Sequence, residues 1–279
     1  MKRETIYFIL LIAFSSCVKD LALNSEDLNS KIVVNSIFEN GEKIELHLSE
    51  SVSVIENVST PVISNSKITI SNESGDLLGE SSSTSFYLSN FNTEAGQEYF
   101  LNVSADGFES VEAFAEIPPL ASLEGIDTSI FQTQQKIQFD VSIDDNPLED
   151  NYYSIKIKFL STDNLISTNS IISFGQKEVV VNGEKSGTQF FFSDETFNGE
   201  VFTFSGLVDY FEPFLGWEYY IVEVNSLSRD LYNYRLSYYN YIRAQELPFT
   251  EPVQIYSNIN NGIGIFAGYN VFRDTIWVN

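Results

Sequence analysis

Alternation of apolar and polar residues is the feature that most constrains the fold of this chain. From Lys31 onward, short runs such as 44–48 and 99–103 carry apolar side chains at every second position, as strands with one buried face do. Turn-forming sequences such as 72–76 separate the runs. This spacing predicts antiparallel β-sandwich structure. The predicted strands are 32–34, 44–48, 68–70, 86–88, 99–103 and 111–115, followed by 135–142, 152–160, 178–181, 188–192, 201–204 and 217–225.

Two adjacent prolines, Pro118 and Pro119, mark the best domain boundary. Proline cannot donate to a central ladder, and a pair of prolines stiffens a link between folded bodies. We therefore predict an all-β fold of two antiparallel β-sandwich domains, at 31–117 and 120–279. The first is Ig-like, and residues 96–108 resemble the closing hairpin of transthyretin-like modules.

One segment departs from the strand pattern. Ser228 and the acidic Asp230 suit the first turn of a helix, and Pro248 suits its end, so we predict a helix over about 228–244 in the second domain. Apolar residues recur every three or four positions along it, which predicts a largely covered surface. The helix either packs on its own sandwich or presents tyrosines to a protein partner, because Tyr is enriched at interfaces. The candidate interface residues are Tyr232, Tyr234, Tyr238, Tyr239 and Tyr241.

The only cysteine, Cys17, follows an N-terminal segment of signal-peptide type. Lys2 and Arg3 precede an apolar run at 6–14, which is too short for a helix spanning ~30 Å of hydrocarbon. The small residues before Cys17 resemble a bacterial lipobox, although Phe14 stands where a smaller aliphatic residue is usual. This predicts a signal peptide at 1–16, lipidation of Cys17 by several acyl chains and a tether at 17–30. The alternative is a secretory signal whose cysteine is incidental.

An acidic loop lies between two predicted strands of the second domain. Its carboxylate and amide oxygens are the ligand type that Ca²⁺ prefers, but the loop lacks the regular spacing and central glycine of an EF-hand. A plain hairpin loop is the alternative. The candidate cation ligands are Asp144, Asp145, Asn146, Glu149 and Asp150.

Charge and composition restrict the function. The formal net charge is −24, which disfavours nucleic acid and anionic lipid headgroups as partners. His47 is the only histidine, and one histidine with one lipidated cysteine cannot form the usual zinc sites. The chain has no Gly-x-Ser-x-Gly sequence for a nucleophile elbow, and no carboxylate pair stands out. We predict no enzyme and no catalytic residues, and no metal or cofactor beyond the lipid and the candidate Ca²⁺ at the acidic loop.

Four segments of the C-terminal third carry a family resemblance. In the order 192–199, 228–232, 248–259 and 261–269, they resemble the Bacteroidota outer-membrane lipoprotein family with domain of unknown function 4249. The resemblance spans nearly the whole mature chain. It implies an outer-membrane lipoprotein of unassigned chemistry, of a family often encoded beside SusC-like, TonB-dependent channels, and it carries over no catalytic residues.

The leading functional hypothesis is a lipid-anchored accessory protein at the outer membrane, facing the cell surface. It would associate with a SusC-like, TonB-dependent transporter in nutrient capture or gating. The alternative is a structural subunit of a larger outer-membrane assembly that binds no solute, and a hydrolase with an unrecognised carboxylate pair is a third hypothesis. A solute binder should show a concave aromatic surface, whereas a scaffold should show a flat one.

Overall fold

The computed structural model describes residues 30–52, 61–63, 65–82, 85–160, 166–168, 172–173, 182–183, 189–209, 219–246 and 251–277. Strands β1 to β7 are Ile32–Glu39, Lys43–Glu50, Ser66–Ser71, Leu77–Ser82, Phe86–Asn92, Glu98–Ala105 and Val111–Glu116. Strands β8 to β13 are Ser122–Phe131, Lys136–Asp144, Tyr152–Leu160, Ile166–Thr168, Ile172–Ser173 and Asn182–Gly183. Gln189–Ser193, Val201–Asp209 and Tyr219–Leu227 form β14 to β16, followed by helix α1 at Arg229–Glu246 and strand β17 at Ile263–Trp277.

Each predicted strand overlaps an observed one, apart from 178–181, which lies outside the described residues, as do 188 and 217–218 at the starts of two others. Strands β4, β8, β11, β12, β13 and β17 were not among the predicted ones. Most side chains of β8 are exposed, so this edge strand shows no alternation. Residues 252–256 form no ladder, and the last strand begins at Ile263.

Three sheets make up the described part of the chain. A nine-stranded central sheet has the order β13-β14-β10-β16-β17-β1-β2-β5, with β11 beside β10. A first small sheet has the order β4-β3-β6-β7, and a second has the order β12-β15-β9-β8. The sandwich-like all-β prediction is confirmed, with one correction. The β1–β17 pair is parallel, from Val33 opposite Ile263 to Glu39 opposite Tyr269, so the central sheet is mixed rather than purely antiparallel.

Strand β17 shows how the layers stack, because successive side chains of a strand point to opposite faces. Phe266 belongs to the core under the first small sheet, and Phe272 packs on the core under the second. Both have even numbers, so the two small sheets cover the same face of the central sheet. Ile265 and Ala267 point to the other face, where α1 covers them. Burial of these apolar surfaces is the main force holding the layers together.

The central sheet crosses the predicted domain boundary. Strand β1 lies before Pro118 and pairs with β17, which lies after it. The carbonyl of Pro118 itself accepts a 3.2 Å hydrogen bond from the side chain of Asn270 in β17. The two halves have separate cores but share one sheet, and the division at 117–120 stays a prediction.

No helix of the described residues is long and apolar enough to cross a membrane. Residues 1–29, which contain the predicted signal peptide, Cys17 and nearly all of the tether, lie outside the described part of the chain.

Candidate functional site

An aromatic groove lies on the outer face of the first small sheet. Phe100 on β6 and Phe114 on β7 are directly opposed across the ladder, with ring centroids 5.3 Å apart. Their side chains alternate with the buried Leu101 and Ala113, so the pleat directs both rings outward. The groove has a volume of about 450 Å³, within the range of small-molecule sites. Its lining residues are Thr69, Ser71, Phe100, Leu101, Asn102, Glu112, Ala113, Phe114, Asp230, Asn258 and Asn260.

A polar row runs beside the aromatic pair. Asn102 and Glu112 are the next outward-facing cross-strand pair, and the Asn102 amide donates a 3.3 Å hydrogen bond to Glu112 Oε1. Thr69 on β3 lies opposite Asn102 and extends the row across a third strand. The floor of the groove therefore has one aromatic row and one hydrogen-bonding row.

The wall of the groove comes from the segment between α1 and β17. Asn260 pairs with Glu112 through two backbone hydrogen bonds of 2.8 and 3.4 Å, which tie this segment to the free edge of β7. Asp230, in the first turn of α1, accepts 2.5 Å and 3.1 Å hydrogen bonds from the Tyr256 hydroxyl and the Asn258 amide. These bonds fix the wall against the helix. Burial, followed by the bond to Asp230, raises the pKa of Tyr256 to about 12.

The two groove phenylalanines are unusual in their exposure. Phe100 is 38% exposed and Phe114 is 37% exposed, although their strands bury apolar side chains on the other face. Adjacent exposed aromatic rings form an apolar patch of a kind associated with binding. Both residues were predicted to lie in strands, but the site was not predicted from the sequence. The available signal was an aromatic residue in the polar phase of each alternating run.

The acidic loop takes up a different arrangement from a cation cage. Asp145 is buried and accepts a 2.6 Å hydrogen bond from the Tyr153 hydroxyl and a 2.8 Å bond from the Gly199 amide. Burial and the bond to Asp145 raise the pKa of Tyr153. Within the described residues, no group of three or more His, Cys, Asp or Glu side chains could hold a metal ion. The cation site stays a prediction without geometric support.

The rest of the acidic loop lines a cleft of about 540 Å³ between the two small sheets. Glu98 and Glu116, from the other side of the predicted domain boundary, line it as well. Burial, followed by the nearby charge of Glu98, raises the pKa of Glu116. Arg229 is the basic residue in this lining. Four of the predicted cation ligands share the cleft, namely Asp144, Asn146, Glu149 and Asp150.

The five helix tyrosines divide between packing and exposure. Tyr232 stacks on Tyr152 at 4.8 Å, and the Tyr239 ring meets Phe191 edge-on at 5.9 Å, so both pack on the central sheet. Tyr234 also packs against the apolar residues between α1 and the central sheet. Tyr241 is half-buried. Tyr238 is 44% exposed, and among the described residues its ring stacks on Tyr234 alone, at 6.4 Å. The partner-interface prediction therefore depends chiefly on Tyr238.

Substitution of Tyr232 and Tyr238 separates these two roles. We expect Tyr232→Ala to lower the free energy of unfolding by about 2–3 kcal/mol, because it removes a partly buried, stacked ring. Tyr238→Ala should change it by less than about 0.5 kcal/mol, because the ring is exposed. Urea denaturation measures both values. Equal losses would contradict the division of the helix into packed and exposed tyrosines.

A charged cluster joins four strands on the helix-facing side of the central sheet. Arg273 donates bidentate hydrogen bonds of 2.6 and 2.7 Å to Glu39 and a 3.0 Å bond to Glu223. Lys158 donates a 2.5 Å bond to the same Glu223 oxygen. The bonds from Arg273 hold the pKa of Glu39 below its ordinary value of 4.5, despite partial burial. Burial and the Glu39 charge raise the pKa of Tyr269 to about 12.

The lowered pKa of Glu39 predicts a pH-dependent contribution to stability. A depressed carboxyl pKa stabilises the fold above the unfolded-state value, and this stabilisation is lost as the pH falls through the folded-state value. We expect Glu39→Gln to cost about 1–2 kcal/mol at neutral pH, since Arg273 is half-exposed. The difference from the unmodified chain should shrink below the ordinary pKa of 4.5. Urea denaturation across this range tests the prediction, with the exposed turn residue Glu73→Gln as control, and a constant difference would contradict it.

The fold and groove define a β-sandwich protein with a concave aromatic surface. The family model described as "Domain of unknown function (DUF4249)" matches residues 18–275, and the chain belongs to this family. The resemblance to domain of unknown function 4249 is thereby confirmed, whereas the Bacteroidota origin and the outer-membrane location stay predictions.

Comparison with other known proteins adds little to the family assignment. No curated protein matches the chain. Among solved structures, the collagen adhesin CNA from S. aureus matches 88% of this chain and 95% of its own, with 8% identity and a TM-score of 0.22. The collagen-binding domain of Erysipelothrix rhusiopathiae surface protein RspB matches 89% and 97%, with 10% identity and a TM-score of 0.25. Scores this low support no argument about ligand or function.

Proposed function

We propose that this protein is a lipid-anchored accessory protein of the outer membrane that binds a solute beside a SusC-like, TonB-dependent transporter. The observation that carries the proposal is the aromatic groove, because a solute binder needs a concave surface with apolar and hydrogen-bonding groups together. The family resemblance supplies the transporter as partner and the outer membrane as location. The proposal gives the chain no catalytic step and no cofactor other than the lipid.

The groove favours solute binding over a purely structural role. A scaffold surface needs a broad, flat face that a partner protein can cover, whereas residues 258–260 form a wall along this groove. Its aromatic and polar rows suit a small ligand. The exposed Tyr238 on α1, far along the helix from Asp230, leaves a separate surface for the transporter.

The lipid anchor rests on Cys17. The family match begins at residue 18, directly after this cysteine, as expected if the mature chain starts there. We expect Cys17→Ser to prevent acylation and to shift the protein from the membrane fraction to the soluble fraction, because several acyl chains are needed for stable anchoring. Metabolic labelling with a palmitate analogue, followed by fractionation, measures both effects. Unchanged labelling of the variant would contradict lipidation at this residue.

A pull-down from native membranes tests the association. The full chain, tagged at its C-terminus, is recovered in mild detergent and its partners are identified by mass spectrometry. Stoichiometric recovery of a TonB-dependent channel is the expected result, and Tyr238→Ala is the matched variant for a contact through α1. Recovery of assembly or secretion machinery would favour the structural-subunit alternative. Recovery of the protein alone would overturn the transporter proposal.

A further inference from the structure

The two rows of the aromatic groove restrict the chemistry of its ligand. Phe100 and Phe114 form one row, while Asn102 and Glu112 lie two residues further along their strands. Two residues of a strand span about 6.8 Å, so the rows are one small ring apart. A ligand that covers both rows must present an apolar face to the phenylalanines and a polar edge to the amide and carboxylate.

A wholly apolar ligand does not fit this surface. It would remove the exposed Glu112 carboxylate and the Asn102 and Asn260 amides from water without replacing their hydrogen bonds. Burying such groups without partners costs several kcal/mol by transfer measurements. Lipid tails and unsubstituted aromatic compounds are therefore disfavoured.

The charge of the protein and of the groove further restricts the chemical class of the ligand. The net charge of −24, together with Glu112 and Asp230 at the groove, repels anions. Cations gain little, because the Asp230 carboxylate already accepts bonds from Tyr256 and Asn258. The remaining carboxylate, Glu112, is exposed and shared with Asn102, and exposed charge pairs contribute little. A neutral ligand remains.

Hydrogen-bonding capacity is left over in the groove. The Asn260 side chain is exposed and makes no hydrogen bond within the described part of the chain, although its backbone is fixed by Glu112. Within the described residues, the second carboxylate oxygen of Glu112 and the side-chain carbonyl oxygen of Asn102 likewise make no hydrogen bond. Planar amides and carboxylates accept or donate in pairs, which suits hydroxyl groups on neighbouring carbons.

We propose that the aromatic groove binds a neutral carbohydrate chain. A sugar ring lies with its apolar C–H face on Phe100 and Phe114, and its hydroxyls bond to Asn102, Glu112 and Asn260. This inference rests on the proposed solute-binding function and names the ligand class for the same groove.

Calorimetric titration of the full lipidated chain tests the ligand class. The protein is kept in a zwitterionic detergent, because glucoside and maltoside headgroups would compete for the groove. The probes are neutral oligosaccharides of gluco, manno, galacto and xylo type in α- and β-linked forms, with oligolysine as the cationic comparison. We expect at least one oligosaccharide to bind with a Kd below about 1 mM and oligolysine not to compete.

Three variants assign the binding to the groove. Phe100→Ala and Phe114→Ala should each weaken binding about tenfold or more, because each removes apolar area covered by the sugar face. Asn260→Ala should weaken it by loss of a hydrogen bond to the ligand. Phe86→Ala is the matched control, because Phe86 is a strand phenylalanine of similar exposure, 42%, outside the groove. It should leave the affinity unchanged.

Absence of binding to every neutral oligosaccharide would overturn the inference, as would binding that survives both groove substitutions. Oligolysine binding that Phe114→Ala abolishes would also overturn it, in favour of a cationic ligand. The membrane pull-down separates this failure from failure of the proposed function. A chain that recovers the transporter but binds no sugar disproves only the ligand class, whereas sugar binding without a transporter disproves only the association.

Discussion

Gly264→Ala is expected to destabilise the protein by more than about 4 kcal/mol, enough to prevent accumulation of folded chain. Gly264 has φ +118°, a backbone conformation that side chains rarely adopt. A methyl group at this position would lie 1.9 Å from the carbonyl oxygen of Val34. Conformational strain and a backbone clash therefore act together.

The clash has no easy relief, because the opposing atom belongs to the backbone of β1. Val34 is fully buried, and the parallel ladder fixes it directly opposite Gly264. Moving either strand would break the pairing that joins the two halves of the central sheet. Gly268, further along the same strand, has a related constraint, since a Cβ there would lie 2.7 Å from the Glu116 carbonyl.

Gly107→Ala is the matched control for this prediction. Gly107 also has a positive φ, +85°, but a Cβ there would meet nothing within 4 Å. The control should cost only about 1–2 kcal/mol, the strain of a left-handed alanine. Soluble yield and urea denaturation followed by circular dichroism measure both variants. Similar losses for the two would show that the close β1–β17 approach does not matter.

Asn258→Ala is expected to lower the free energy of unfolding by about 2–4 kcal/mol, the second large effect. The Asn258 side chain bonds to both backbone groups of Phe266, accepting from its N–H at 3.0 Å and donating to its C=O at 2.7 Å. It thereby takes the place of a neighbouring strand at a point where β16 has already ended. Phe266 is fully buried, so alanine would leave two backbone groups without partners.

Two comparisons make the Asn258 prediction specific. Asn258→Asp keeps the shape but turns the donating nitrogen into an oxygen that faces the Phe266 carbonyl and Asp230, so a comparable loss is expected. Asn260→Ala, two residues away on the exposed wall of the groove, should change stability by less than about 0.5 kcal/mol. Urea denaturation compares the three variants. A loss of stability for Asn258→Ala no larger than that for Asn260→Ala would show that the Asn258 side chain does not stabilise the backbone of Phe266.

Much of the strand pattern could be predicted because burial of one face leaves a local record. Runs such as 99–103 and 111–115 alternate because one face meets the core, and both lie within observed strands. The same reasoning failed for β8, whose side chains face water on both sides at the edge of its sheet. Where burial is not one-sided, the period-two signal disappears.

The helix and the turn before β17 also depend on local sequence. Ser228 caps α1 through its hydroxyl, which accepts a 3.3 Å bond from the Leu231 N–H, and the helix then runs from Arg229 to Glu246. Asn261, in the turn before β17, adopts φ +60°, a left-handed conformation in which asparagine is several-fold enriched. The sequence could not say which tyrosines would pack, because that depends on the sheet beneath them.

The sequence by itself determined the one-sided strands, the helix, the acidic charge and the family to which the chain belongs, because these depend on neighbouring residues or on composition. Only the tertiary structure decided the parallel β1–β17 pairing and the aromatic groove. The groove joins Phe100 and Phe114 to Asp230 and Asn258, which lie more than a hundred residues away in the chain. Such contacts depend on which distant strands pair, and in which register, as the cores form. The sequence around each strand does not specify that pairing.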